Sequence, residues 1–266
     1  MSDGGISTGA AAGPGAASIW PALAKLTLSL RITGVRSDGY HLLDAEMVTI
    51  DLADTLYFSP GDGLEVELVD GGRGGHGEVP EDSSNLVVRA LALLRRTAHV
   101  RLVKRIPAGA GLGGGSADAA AVLRWAGAKG PTGLSAALEL GSDVPFCLAG
   151  GGRARVAGVG EVLEPLQFDQ VDGDPYTLLV PPFGVATKAV YQVWDEMGGP
   201  GSDNFNDLEP AALRVEPRLA KWRDRLGDAT GERPQLAGSG STWFVRGDYP
   251  GGDRVVVHVK GNAGPA

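Results

Sequence analysis

The chain has almost no cysteine: Cys147 is the only one in 266 residues. That excludes an internal disulfide framework and a cysteine-rich zinc site, and it suits a reducing compartment. Cys147 lies in an apolar run with Pro145, Phe146 and Leu148, so it reads as a small core residue, with no basic neighbour to stabilise a thiolate. Basic residues are also in deficit, 24 Lys and Arg against 32 Asp and Glu, for a formal charge of −8. A general nucleic-acid binder, which needs a surplus of cations on one face, is thereby disfavoured. Lys104 and Arg105 still leave room for a local anion site. Long apolar runs are missing too: none approaches the ~20 residues that cross a bilayer. The first eighteen residues have neither the basic start nor the apolar centre of a secretion signal. A soluble, cytoplasmic protein with no nucleic-acid or membrane partner is expected.

Glycine is what the chain has in abundance, 42 residues of it. Residues 1–18, rich in Gly, Ala and Ser, read as a disordered tail; 71–77 read as a surface loop and 261–266 as a fraying end. Between these, period-2 patterning predicts strands over 19–33, 45–52, 55–58 and 64–69. The period then changes, and a helix is expected over 85–97, with Asp82, Ser83 and Ser84 as cap candidates. A strand over 100–106 is stopped by Pro107, and helices follow over 116–126 and 134–140. Beyond Gly150 come strands at 153–157 and 176–180, helices at 188–197 and 217–226, and strands at 242–246 and 254–259. The class is α+β, with two units, 19–150 carrying the glycine loop and 151–260 following it.

The segment Pro107-Ala108-Gly109-Ala110-Gly111-Leu112-Gly113-Gly114-Gly115-Ser116 is the most informative. Glycines let backbone N–H groups converge on a phosphate, and the helix that follows adds the positive end of its dipole. A flexible turn is the bland alternative. A Walker A loop is excluded because no Lys stands before Ser116, and neither H-R-D nor D-F-G of the protein kinases occurs. Gly109-x-Gly111-x-x-Gly114 does match the dinucleotide fingerprint, but no alternating βαβ series surrounds it, so a Rossmann oxidoreductase ranks lower.

Residues 107–116 resemble the second motif of the GHMP kinases, which bind ATP with this loop. Ala24-Lys25-Leu26, Gly39-Tyr40-His41, 140–146 (Leu-Gly-Ser-Asp-Val-Pro-Phe) and 237–241 (Ala-Gly-Ser-Gly-Ser) stand in the order expected of one branch of that family. That branch phosphorylates the 2-hydroxyl of a cytidine-diphosphate-linked methylerythritol in non-mevalonate isoprenoid biosynthesis. The resemblance runs from about residue 22 to about 244 and implies a two-domain fold, an N-terminal ATP-binding domain and a C-terminal α+β domain on the substrate side. Other GHMP-type kinases of a different alcohol, or a non-catalytic nucleotide-binding protein, are the alternatives.

The resemblance makes Asp143 the base, although alone it reads as a cap or turn aspartate. Lys25, inside an apolar strand, is either paired with that carboxylate or a strand-edge lysine with its head in water. Pro107, Gly109, Gly111, Leu112, Gly113, Gly114, Gly115 and Ser116 are assigned to ATP, with Asn85 and Lys104 on the adenosine side. Ser116 is also the candidate ligand of Mg²⁺, and Asp118 serves the metal or the first turn of its helix. Tyr40 would stack on cytosine and His41 hydrogen-bond to it. Phe183 would close the other face of the base or simply pack. Gly238, Ser239 and Gly240 form a second glycine loop, or a plain turn. Thr27 stands where the family usually has Asn, keeping a hydroxyl but losing the amide's paired donor and acceptor.

Overall fold

The computed structural model describes residues 7–8, 17–69, 79–166 and 173–261. The loop expected at 71–77, most of the tail and the last five residues lie outside them. Ser7–Thr8 (β1) pairs in parallel with the start of the next strand.

Strand β2 (Ser18–Val35) and strand β3 (His41–Ser59) form one long antiparallel hairpin, so the two strands expected at 45–52 and 55–58 are a single element. Both combine apolar inward positions with β-branched residues, the pattern of a half-buried sheet. The pairing shifts register between Leu23 and Lys25, between Thr27 and Ser29, and between Ile32 and Gly34. Such irregularities release backbone groups from the ladder and re-aim side chains. At the first of them the N–H of Lys25 donates to the carbonyl of Leu112, 3.0 Å away. The strand is thereby tied to the glycine loop.

Strand β4 (Gly63–Leu68) lies parallel to β5 (His99–Lys104), which pairs β3. Helix α1 (Leu86–Leu93) is capped by Asn85, whose side chain accepts from the N–H of Val87 at 2.9 Å. The cap is thus one residue beyond the expected Asp82, Ser83 and Ser84. The helix ends short of residue 97, where Arg95 turns to φ +52°. Helix α2 (Gly114–Trp125) opens two residues before Ser116, directly at the loop. Its buried alanines, Ala117, Ala119, Ala120 and Ala121, bring it close against the sheet. Helix α3 (Gly130–Leu140) leads to a short α4 (Val144–Leu148), an apolar run the patterning left unassigned. Pro145 falls in its first turn, where no N–H is needed.

Strands β6 (Arg153–Gly158) and β7 (Val162–Pro165) lie beyond Gly150 yet belong to the first sheet, β6 pairing with β3. The second sheet has the order β11-β8-β10-β9, from β8 (Pro175–Leu179), β9 (Gln235–Leu236), β10 (Trp243–Arg246) and β11 (Val255–His258). Helices α5 (Thr187–Glu196), α6 (Glu209–Val215) and α7 (Leu219–Thr230) fill the interval between β8 and β9. The sheets meet at Thr49, whose N–H donates to the carbonyl of Gly152 while its own carbonyl accepts from Lys260. The buried residues of the two sheets and their helices join in one apolar cluster. Among the described residues no helix is long and apolar enough to cross a membrane.

Candidate active site

Lys25 is buried, and its ammonium lies 3.2 Å from Oδ2 of Asp143. The same nitrogen donates to Oγ1 of Thr27 at 3.0 Å. An ammonium so enclosed is stable only with such partners, so the strand-edge alternative for Lys25 falls away. Asp143 occupies the position before α4, but its side chain makes no capping hydrogen bond. Its carboxylate is turned to Lys25 instead and keeps 29% of its surface open, so a ligand can reach it.

The two glycine loops close over this pair. Gly113 has φ +70°, and a Cβ there would lie 2.8 Å from Cγ of Lys25. The loop therefore passes the lysine stem at a distance only glycine permits. Gly111, at φ +79°, packs on the second loop: a Cβ would strike the Ala237 carbonyl oxygen and lie 2.7 Å from that of Gly240. The N–H of Thr242 donates to the carbonyl of Ala110 at 3.2 Å, fastening the loops together. Residues 237–241 are thus a structured partner of the first loop, not an isolated turn.

Asn206 holds the second loop from behind. Its amide nitrogen donates to the carbonyls of Leu236 (2.9 Å) and Gly238 (2.6 Å), and its oxygen accepts from the N–H of Leu208. Thr187, at the start of α5, shares a 2.8 Å hydrogen bond with the Ser239 hydroxyl. In the sequence, 206–210 and 181–191 add only weaker agreement with the family, and neither Asn206 nor Thr187 stands out within them.

Lys104 is placed differently from an adenosine contact. Its ammonium is buried between Asp54 (2.5 Å) and Asp118 (2.7 Å). Asp54 also accepts from the N–H groups of Arg105 and Ile106, which pins the chain just ahead of Pro107. Burial favours loss of the lysine proton, but the two carboxylates outweigh it and its pKa rises. Burial pushes Asp118 up to about 7, against the pull of Lys104. The folded chain therefore holds a proton on Asp118 that the unfolded chain releases near the ordinary aspartate range. On this account stability is lost as pH rises from that range to about 7 and is level above it. Asp118→Asn should flatten that fall, as thermal midpoints recorded from pH 4 to 8 would reveal; an unaltered profile would remove Asp118 as its source. With its carboxylate in this cluster, Asp118 belongs to the support of α2. Asn85 likewise serves as the cap of α1, its amide nitrogen donating to the Pro80 carbonyl at 2.7 Å.

A third group of residues surrounds His41. The imidazole packs 4.7 Å from the ring of Tyr191 and 5.5 Å from Trp194, and Nε2 lies 2.9 Å from Oδ1 of Asp195. Tyr40, 64% exposed, lies on the neighbouring turn with the Arg36 guanidinium over its ring at 5.9 Å. Phe183 lies apart from these rings, beneath the Arg218 guanidinium at 4.1 Å and edge-on to Trp222 at 6.5 Å. The next residue, Gly184, packs on the first glycine loop: a Cβ at Gly109 would lie 3.5 Å from the Gly184 Cα. The aromatic rings set against His41 are therefore Tyr191 and Trp194, and Phe183 is not among them. Burial and the nearby Asp143 charge raise the Tyr191 phenol, which stays neutral at ordinary pH.

A strand, two glycine loops, a helix N-terminus and a carboxylate–ammonium pair at their junction define a small-molecule kinase site. The GHMP kinases N terminal domain matches residues 85–151. A 4-diphosphocytidyl-2-C-methyl-D-erythritol kinase of Paramagnetospirillum magneticum is 36% identical, with 83% of this chain and 86% of the relative covered. Its counterpart in Pelotomaculum thermopropionicum is 38% identical, covering 84% and 86%. A crystal structure of 4-(cytidine 5'-diphospho)-2C-methyl-D-erythritol kinase superposes with a TM-score of 0.69 at 32% identity, covering 92% of this chain and all of that one. Mevalonate kinase shares the fold, with a TM-score of 0.56 at 12% identity over 92% and 99% of the two chains. The chain is thus a GHMP kinase. Within that class it belongs to the family of 4-diphosphocytidyl-2-C-methyl-D-erythritol kinases.

Proposed function

We propose that the chain transfers the terminal phosphoryl group of ATP to the 2-hydroxyl of 4-(cytidine 5'-diphospho)-2-C-methyl-D-erythritol, in the cytoplasm. The Lys25–Asp143 pair, 3.2 Å across at the meeting of the two glycine loops, carries this reading. The N–H groups from Gly111 to Ser116 and the start of α2 cradle the phosphates. Asp143 takes the proton of the attacking hydroxyl as the new O–P bond forms and the bond to ADP breaks. Lys25 holds positive charge beside the transferring group, and Thr27 fixes its ammonium in place.

Mg²⁺ bound with ATP would supply neutralisation of phosphate charge and would need few protein ligands. Among the described residues no group of three or more His, Cys, Asp or Glu is gathered for a metal. Ser116, at the start of α2, is the residue this chain offers it.

Tyr40 and Tyr191 serve the cytosine ring, with His41 at its edge. Tyr191→Ala should raise KM for the cytidine substrate about tenfold, within the ~1–3 kcal/mol of one base–aromatic stack, and lower kcat less. An unchanged KM would take Tyr191 out of the base pocket. The reading as a whole is tested by incubating pure protein with MgATP and the cytidine substrate. ADP and the 2-phosphate should accumulate, and CDP should compete with the substrate. No turnover by folded protein, or turnover indifferent to CDP, would refute it.

A further inference from the structure

We propose that Asp195 sets the ring tautomer of His41 and so makes the base pocket choose cytosine over uracil. The inference rests on the cytidine reading above and adds a positioning residue to it.

Helix α5 presents three contacts to one imidazole. Tyr191 and Asp195 are four residues apart and Trp194 lies between them, so all three fall on one helical face. Tyr191 and Trp194 hold the ring from two sides, at interplanar angles of 44° and 78°, leaving the His41 side chain 11% exposed. The ring is thereby fixed in position, and Asp195 decides its chemistry. A carboxylate only accepts, so the 2.9 Å contact places a proton on Nε2. In the neutral ring the lone pair must then sit on Nδ1, which has no hydrogen-bond partner among the described residues.

An accepting Nδ1 distinguishes the two pyrimidines. Cytosine carries an amino group at C4, a donor, where uracil carries a carbonyl, an acceptor. The amino group can donate to Nδ1, whereas the carbonyl would face it lone pair to lone pair. An imidazole without Asp195 could exchange tautomers and suit either base, and the discrimination would fade. The Asp195 side chain is 51% exposed, so the contact adds little to fold stability; orienting the ring is what it accomplishes.

The test compares inhibition by CDP and by UDP in the full chain, at alkaline pH where imidazoles are neutral. Wild type should favour CDP. Asp195→Ala should lose at least ~10-fold of that preference, the scale of one hydrogen bond, with the loss falling on KM of the cytidine substrate more than on kcat. Asp195→Asn, whose amide oxygen still accepts from Nε2–H, should retain most of it. The imidazole ¹⁵N spectrum of wild type, with His41 assigned by substitution, should report an unprotonated Nδ1. If wild type does not discriminate the two nucleotides, the cytidine reading itself fails. If it does and Asp195→Ala keeps the full preference, Asp195 has no such role. A protonated Nδ1 on the neutral wild-type ring would overturn the proposal without any variant.

Discussion

Asp143→Asn should lower kcat at least ~100-fold, the scale of general-base catalysis, while ATP still binds. The substitution is nearly isosteric and keeps an oxygen 3.2 Å from Lys25, so the loop geometry has no reason to change. What it removes is the group that accepts the hydroxyl proton. The phosphate cradle stands on backbone amides of another segment, so nucleotide affinity should alter little. Steady-state kinetics with a parallel nucleotide titration separates the two. A wild-type rate would exclude Asp143 as the base, and joint loss of binding and turnover would make it structural.

Lys104→Met should be the most destabilising single change at the loop, costing about 3–5 kcal/mol. It would leave Asp54 and Asp118 facing each other in the interior without the cation between them. Protonation of Asp118 offsets part of that cost, so the loss should deepen as pH rises toward 7. Denaturant unfolding at two pH values measures it. A variant as stable as wild type but with weakened ATP binding would return Lys104 to the nucleotide site.

The contrast between these lysines marks the limit of what the sequence conveys. Lys25 and Asp143 were legible as candidates because each sits in a short contiguous motif. Their contact depends on the register shift after Leu23 and on α4, and neither is a local signal. Lys104 stands next to the glycine loop, so adjacency suggested an anionic ligand. The anions it meets are protein carboxylates, one from β3 across the sheet and one from the second turn of α2. Tyr191, at the end of a stretch (181–191) that agrees only weakly with the family, drew no role and Asp195 no notice, because an amphipathic helix explains an aromatic and a charge at that spacing without any ligand. Phe183 was a candidate only through the family resemblance; the fold sets it against Arg218 and Trp222. The strand pattern was read well where alternation was regular. It failed at β7 and β9, which are too short to show a period.

The most direct test is a ternary structure with a non-hydrolysable ATP analogue and the cytidine substrate. The account requires the β- and γ-phosphates to lie against the amides of residues 111–116, with the 2-hydroxyl within hydrogen-bond reach of Asp143. Phosphates bound elsewhere, or an acceptor oxygen out of reach of that carboxylate, would contradict it.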